Sequence, residues 1–170
     1  MRKLRAFDLF TQALKSFEEK DNSLYEWPRN RIALTHSLAT RLAQALPEGF
    51  AELSVDMCPV LSKSRKALNP DIVVHNRKTG QIALAVVCRS EYLSEEEQQA
   101  LMELNGSCRC DLVLALSFFP QKQYMLIYRA TAEKVEYFHF DRNTLTTDVV
   151  RKRTVNETPE SGDQLKLRLK

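Results

Sequence analysis

Two apolar segments joined by a turn occupy the middle of this 170-residue sequence. The first, Ile72-Val73-Val74, directly follows Pro70-Asp71, and the second runs over residues 82–88 with almost no polar interruption. Between them, Asn76-Arg77-Lys78-Thr79-Gly80 is typical of a turn, in which Gly80 is free to adopt positive φ. This pattern predicts a β-hairpin whose second strand is buried on both faces of a sheet.

A helix and a further strand are predicted directly after the hairpin. Ser94 and Glu97 have the spacing of a capping box, and the helix that they begin is predicted to run to about Asn105, with Gly106 as its C-cap. Residues 112–116 form the next apolar segment. Two strands joined through this helix are expected to be parallel with a right-handed crossover, whereas the hairpin before them is antiparallel. The sheet is therefore predicted to be mixed.

Helical and strand periodicities extend this core in both directions. Apolar residues three or four positions apart predict helices over residues 3–20 and from Pro28 to about residue 46. Apolar and polar residues alternate over 53–57, which predicts a strand. Two more strands are predicted over 124–129 and 134–140. The predicted fold class is α/β, with a mixed β-sheet core flanked by helices.

The chain is interpreted as a single domain. Residues 1–150 are predicted to form it, with residues 1–25 as an N-terminal helix packed on it, and residues 151–170 are predicted to be a polar, basic tail or an edge strand. No apolar run approaches the roughly 20 residues needed to span a bilayer. The basic N-terminus is not followed by the apolar core of a secretory signal. We therefore expect a cytoplasmic protein without a membrane partner.

The sequence contains four cysteines, Cys58, Cys88, Cys108 and Cys110. Without a secretory signal, free thiols are expected rather than disulfides. Cys108-Arg109-Cys110 lacks the second pair of cysteine or histidine ligands that a structural zinc site usually needs. Small buried side chains at strand starts are the favoured interpretation.

The charge pattern permits a nucleic-acid partner without requiring one. Twenty-five basic and 22 acidic residues give a net charge of +3. Local clusters carry more information than this sum. Lys63, Arg65 and Lys66 form a basic cluster shortly before Pro70-Asp71, and they are the candidate phosphate contacts.

The element order and residues 69–90 together resemble the PD-(D/E)XK nuclease superfamily, over roughly residues 28–118. In that family a strand aspartate and an acid on the next strand hold Mg²⁺, and a lysine two residues further on assists the attacking water. The resemblance implies a restriction-endonuclease-like fold in which Asp71 is the first acid. Val87 stands at the position of the second acid, and Arg89 stands at the position of the lysine.

These two departures change the expected chemistry. Valine offers no oxygen ligand to Mg²⁺. Arginine can hold a phosphate through two hydrogen bonds but does not readily give up a proton. In some branches of the superfamily the missing acid migrates to the following helix, where Glu103 is the best candidate. Glu52 and Asp56 are further possible acids. A glutamate from the preceding helix often joins the family's site, and Glu26 is the candidate for that position.

Three hypotheses remain open. The favoured one is a nuclease-like fold without catalysis, which binds nucleic acid through Lys63, Arg65, Lys66 and Arg89 or docks a protein partner or a second copy of the chain. In the second, Asp71 and Glu103 hold Mg²⁺ or Mn²⁺ and Arg89 contacts the scissile phosphate of DNA. In the third, the chain is an unrelated α/β interaction module. The first two hypotheses require Asp71 and Arg89 to lie close together in the fold.

Overall fold

The structure is a computed structural model that describes residues 4–61 and 67–154, with side chains described as far as Val150. It contains three α-helices and seven β-strands within these residues, together with short 3-10 helices at Asn22–Glu26 and Glu48–Phe50. The elements are α1 (Ala6–Asp21), α2 (Arg31–Ala45), β1 (Leu53–Met57), β2 (Ile72–Asn76), β3 (Ile82–Arg89), α3 (Glu95–Ser107), β4 (Val113–Ser117), β5 (Tyr124–Ala130), β6 (Lys134–Asp141) and β7 (Thr146–Thr154).

The seven strands form one sheet in which spatial order follows sequence order, from β1 at one edge to β7 at the other. Only the β3–β4 pair is parallel, with Ala85 opposite Val113 and Arg89 opposite Ser117. The other neighbouring pairs are antiparallel. The predicted mixed sheet is confirmed, and so is the parallel step through α3.

Helices cover both faces of the sheet because its strands alternate their side chains between two cores. On β3, Leu84 and Val86 belong to the core that includes the apolar faces of α1 and α2. Ala85 and Val87 belong to the opposite core, which includes the apolar face of α3. This period of two follows from the pleat of a strand. The predicted α/β class, with helices flanking a mixed sheet, is therefore confirmed.

Local signals at the turns and caps were informative but incomplete. The capping box of Ser94 and Glu97 is present, and Gly80 has a φ of 73° in the β2–β3 turn. Gly106 is not a C-cap, because α3 continues to Ser107 and the Cys108 amide donates to the Leu104 carbonyl at 3.0 Å. Apolar packing of Leu104 against the sheet holds this last turn in helical form.

Two segment boundaries differ from the predicted ones. Helix α2 begins at Arg31 rather than near Pro28, since Arg29 adopts a φ of 51° and breaks the helical path before it. The final strand, β7, was not predicted, and it continues to Thr154, four residues past the boundary drawn at 150. Residues 151–154 of the predicted tail or edge strand thus belong to β7, and its residues 155–170 lie outside the described residues.

The expectation of free thiols is wrong for one pair. Cys108 and Cys110 are joined in a disulfide, whereas Cys58 and Cys88 are free. The pair meets because the chain turns sharply between the end of α3 and Cys110, which forms an isolated bridge to Ile82. Their Cα atoms are 5.2 Å apart, within the usual range for a disulfide.

The described helices do not include one that combines the length and the apolar character needed to cross a membrane.

Candidate functional site

The candidate site lies where β2 begins and β3 ends. The antiparallel register places Ile72 opposite Val86, so Asp71 comes level with the last residues of β3. Asp71 Oδ2 and Arg89 Nη1 are 3.5 Å apart. The expected proximity of these two side chains is confirmed.

The carboxylate of Asp71 has three partners. Its Oδ2 accepts a hydrogen bond of 2.7 Å from the Cys88 amide. Its Oδ1 lies 3.6 Å from Nη1 of Arg31, in the first turn of α2. The side chain is 18% exposed, so little water competes for these contacts. Asp71 therefore lies between the guanidinium groups of Arg31 and Arg89, at the open end of the β2–β3 hairpin.

The guanidinium of Arg89 joins the hairpin to the start of α3. Its Nε donates to Oε1 of Glu97 at 3.0 Å, and its Nη1 donates to the Cys88 carbonyl at 2.9 Å. Together with the Asp71 contact, these bonds occupy two edges of the planar group. Arginine can make such a divided set of contacts because its donors form a rigid fork.

Glu97 serves both the helix and the site. Its Oε2 accepts from the Ser94 amide at 3.0 Å, and its own amide donates to Ser94 Oγ at 3.1 Å. Burial alone would raise the pKa of Glu97, but hydrogen bonds from Ser94 and Arg89 hold that pKa below its usual value. The carboxylate is therefore ionised, and it is hydrogen-bonded to Ser94 and Arg89.

Arg31 and Glu97 were not assigned to the site from the sequence. The capping box identified Glu97 as a helix residue, but nothing in the spacing predicted its bond to Arg89. Arg31 comes from a helix that covers the other face of the sheet, and its Nη1 donates to the Cys88 carbonyl at 3.3 Å. No sequence pattern links it to the hairpin, because the contact depends on how α2 crosses the sheet.

A small open cavity, with a volume of about 290 Å³, adjoins the ion-pair cluster formed by Arg31, Asp71, Arg89 and Glu97. Its lining offers guanidinium and hydroxyl donors beside two carboxylates, from Arg31, Arg89, Ser90, Glu91, Tyr92 and Glu97. Tyr92 is positioned by a hydrogen bond of 2.5 Å between its hydroxyl and that of Tyr124. The arginines can therefore bind an oxyanion in this cavity, but the carboxylates of the lining largely balance the positive charge of the arginines.

The position of the missing acid is filled by the protein core. Val87 is completely buried, within the apolar cluster between the sheet and α3. It pairs with Ala115 of β4, on the same sheet face as Val73. A carboxylate at this position would have to be buried among apolar side chains, so Val87 belongs to the packing of the fold.

Glu103 lies apart from the cluster. It is exposed and lines a separate cavity of about 340 Å³ with Leu68, Ala100 and Leu104. Along an α-helix, positions 97 and 103 are separated by about 9 Å of rise and by about 120° of rotation. The structure thus brings Glu97, not Glu103, into contact with Arg89.

The other acids that the sequence suggested also lie elsewhere. Asp56 lies on edge strand β1. It is bound to His75 of β2 at 2.6 Å and to the guanidinium of Arg77 in the β2–β3 turn. Glu52 lines a cavity beside Gln81, at the start of β3 and so at the opposite end of that strand from Arg89. Glu26 is exposed at the end of a 3-10 helix.

Two further predictions concern a metal site and a basic cluster. Within residues 4–61 and 67–154, no three His, Cys, Asp or Glu side chains are grouped so that they could hold a metal ion. Lys63, Arg65 and Lys66 lie outside the described residues, in the connection between β1 and β2.

Comparisons with protein-family models and with curated proteins found no match. The class that the structure defines is an α/β protein with a seven-stranded mixed sheet between helical layers.

Proposed function

We propose that this chain is a PD-(D/E)XK-like, restriction-endonuclease-like protein that has lost metal-dependent cleavage and binds nucleic acid. The observation that carries the proposal is the placement of Asp71 between Arg31 and Arg89, where a nuclease would have a metal ion. The two guanidinium groups supply the positive charge that a divalent cation would otherwise provide. The site is then a charge-compensated remnant of an active site.

The order of elements supports this assignment. Helix α2, the three antiparallel strands β1 to β3, helix α3 and the parallel strand β4 follow one another as the superfamily resemblance requires. Asp71 and Arg89 stand at the corresponding ends of β2 and β3. Fold likeness alone does not establish activity, so the proposed function rests on the residues of the site.

Electrostatics argues against a resident divalent cation beside Asp71. At the effective dielectric of a protein surface, a dication about 5 Å from a guanidinium is repelled by on the order of 7 kcal/mol, so two such groups offset most of the attraction of a single carboxylate in direct contact with the ion. Two such groups flank Asp71. Binding Mg²⁺ or Mn²⁺ to Asp71 would also displace the guanidinium groups of Arg31 and Arg89 from its carboxylate. We infer that metal binding here is too weak to support catalysis.

Nucleic-acid binding is supported by an exposed cation of the site and by a basic segment that precedes Asp71 in the sequence. Arg31 is 45% exposed and faces the cavity, so part of its guanidinium is available to a phosphate. The sequence adds Lys63, Arg65 and Lys66 in the connection that leads to Asp71. Because the acids of the site balance its arginines, we assign most of the phosphate attraction to this basic segment.

The binding test compares two triple variants with the same reduction in positive charge. Lys63, Arg65 and Lys66 are changed to Gln in one protein, and the exposed Lys15, Lys20 and Lys78 are changed to Gln in the other. Fluorescence anisotropy with labelled single- and double-stranded DNA and RNA is measured across salt concentrations. We expect weaker binding only from the variant in which Lys63, Arg65 and Lys66 are replaced. For a duplex, the slope of log K against log salt should become shallower by about 0.9 for each phosphate that the variant no longer neutralises.

Failure to bind any of these nucleic acids at low salt would contradict the proposal and favour the docking of a protein. Equal weakening by the two triple variants would show that the attraction is not localised to the basic segment.

The cleavage test uses fluorogenic single- and double-stranded DNA with Mn²⁺, and Asp71→Asn as the control. We expect no metal-dependent cleavage above that of the control. Cleavage that Asp71→Asn abolishes would overturn the inactive assignment in favour of an active nuclease. Glu103→Gln and Glu97→Gln would then identify which helical acid serves the metal.

A further inference from the structure

We propose that the Cys108–Cys110 disulfide is a reversible redox site that exchanges with small thiols of the glutathione class. It lies in the connection between α3 and β4. Cys108 caps the C-terminus of α3, and Cys110 bridges to Ile82 at the start of β3. This site is separate from the ion-pair cluster, which lies at the N-terminus of α3.

The position of the disulfide does not suit the role of a structural staple. The two cysteines are only two positions apart in sequence, so the bond closes a very short loop and removes little chain entropy from the unfolded state. The backbone is already held here by hydrogen bonds. Asp111 N donates to the Ile82 carbonyl at 2.9 Å, and Ile82 N donates to the Arg109 carbonyl at 3.4 Å.

Both cysteines adjoin an open cavity, although they also pack against the apolar core beneath α3. Cys108 and Cys110 are both half-buried, and Arg109 between them is exposed. A cavity of about 480 Å³ adjoins the pair and is lined by Thr79, Gln81, Cys108, Arg109, Cys110 and Asp111. A cavity of this size accommodates part of a tripeptide, whereas a sealed structural disulfide would be closed to solvent.

The charge of Arg109 favours the glutathione class of thiol. Glutathione carries two carboxylates, and the guanidinium of Arg109, which lines the same cavity as the two cysteines, can pair with one of them. The same cation stabilises a cysteine thiolate as it leaves. Asp111 also lines the cavity, so Arg109 offsets an acidic neighbour that would otherwise repel the incoming thiolate.

The exchange has two steps. A glutathione thiolate attacks one sulfur of the Cys108–Cys110 bond, which breaks to give a mixed disulfide and a cysteine thiolate that takes up a proton. A second glutathione thiolate attacks the glutathione sulfur of the mixed disulfide and releases the cysteine. In total, the protein disulfide and two glutathione molecules give two protein thiols and one glutathione disulfide.

The test is an equilibrium titration of the full chain in glutathione buffers of graded oxidised-to-reduced ratio, followed by rapid alkylation and mass spectrometry of peptides. We expect Cys108 and Cys110 to be alkylated together in reducing buffers and protected together in oxidising ones. The other two cysteines serve as internal references. Cys58 is exposed and reports labelling, whereas Cys88 is buried, and burial raises the pKa of its thiol to about 12, so it labels only after unfolding.

Two outcomes would overturn the proposal. Cys108 and Cys110 that stay alkylatable in every buffer would be independent thiols, and a bond that survives every reducing buffer would be a fixed disulfide.

Variants separate exchange from simple reduction. Cys110→Ser removes the resolving thiol, so we expect a stable mixed disulfide of glutathione on Cys108, with Cys58→Ser in the same chain to prevent dimers. Absence of that adduct would contradict the mechanism. Arg109→Gln should slow reduction by glutathione roughly two- to fivefold, the worth of one exposed ion pair, while Arg109→Lys keeps the charge. An unchanged rate in Arg109→Gln would exclude Arg109 from the recognition of the thiol.

Discussion

At the residue scale, the stability of the candidate site depends on each charge keeping its partner. Asp71 and Arg89 are 18% and 28% exposed, so both are partly removed from water. Ion pairs of this kind add little when compared with apolar packing, but removing Asp71 takes a shared counterion from Arg31 and Arg89, although Arg89 still pairs with Glu97. Asp71 is the more sensitive member because it neutralises part of two arginines and also accepts from the Cys88 amide.

We expect Asp71→Asn to lower the free energy of unfolding by about 2 kcal/mol, because Arg31 and Arg89 would then be without their shared counterion. Asp8→Asn is the control, since Asp8 is 69% exposed and its closest cation is 4.0 Å away. The control should change stability by no more than about 0.5 kcal/mol. Urea unfolding followed by far-ultraviolet circular dichroism measures both. Equal effects in the two variants would refute the structural role of Asp71.

Val87 supports a second prediction at the same scale. Restoring an acid with Val87→Asp should destabilise the protein by about 3 kcal/mol or more, because a carboxylate would be buried among apolar groups. Val149→Asp introduces the same change at a side chain that is 59% exposed, and should alter stability by about 0.5 kcal/mol or less.

The same urea measurement compares the two valine variants. A stable Val87→Asp protein would indicate that the position opens towards the site, and it should then be tested for Mn²⁺ binding.

At the element scale, the N-terminus of α3 holds one end of the candidate site. Its capping box fixes Glu97, and Glu97 in turn binds Arg89. The loop from Ser90 to Leu93 is tied to the sheet by two further bonds, from Ser117 Oγ to the Glu91 carbonyl at 2.6 Å and from the Leu93 amide to the Tyr128 hydroxyl at 3.1 Å. The start of this helix is therefore anchored both to the sheet and to the site.

Ser94→Ala should lower the free energy of unfolding by about 1 kcal/mol, since it removes the acceptor of the Glu97 amide. Ser107→Ala, at the other end of α3, removes only a long hydrogen bond of 3.4 Å and should have a smaller effect. Urea unfolding compares the two variants, and hydrogen exchange of the first turn of α3 localises the destabilisation. Faster exchange at the C-terminal end instead would contradict the assignment.

At the scale of the whole molecule, stability should decline towards acid pH. Hydrogen bonds from Arg41 and from Arg77 hold the pKa values of Asp21 and Asp56 below their usual range in the folded protein. Burial lowers the pKa of His139. In each case the unfolded chain binds more protons than the folded one at acid pH, so folding weakens as pH falls.

The decline should occur in two windows. The first begins near pH 6.5, the unperturbed value for histidine, and the second begins near pH 4, the unperturbed value for aspartate. Both contributions are fully present above these values. Urea midpoints measured from pH 7.5 to pH 2.5 report the two steps.

The double variant Arg41→Gln, Arg77→Gln should show a smaller second step, because it removes the largest cause of the lowered pKa of each aspartate. An unchanged second step in this variant would contradict the assignment.

The sequence predicted the elements better than their contacts. The hairpin, the capped helix and the parallel step were all identifiable because each depends on residues close together in the chain, such as Ser94 with Glu97 and Asn76 with Gly80. Strand β7 was missed because Thr146–Thr154 carries no clear alternation, and it forms by pairing with β6. The disulfide was missed because the expectation came from the inferred compartment and not from the local turn.

The sequence by itself determined the α/β class, the order of elements through β6 and the nearness of Asp71 to Arg89. These follow from local periodicity, turn chemistry and one hairpin register. Only the tertiary structure decided that Arg31 and Glu97 complete the cluster, that Glu103 does not contact Arg89 and that Val87 is enclosed. Such contacts join segments from opposite faces of a sheet, and their geometry is set by how helices pack, which no spacing along the chain encodes.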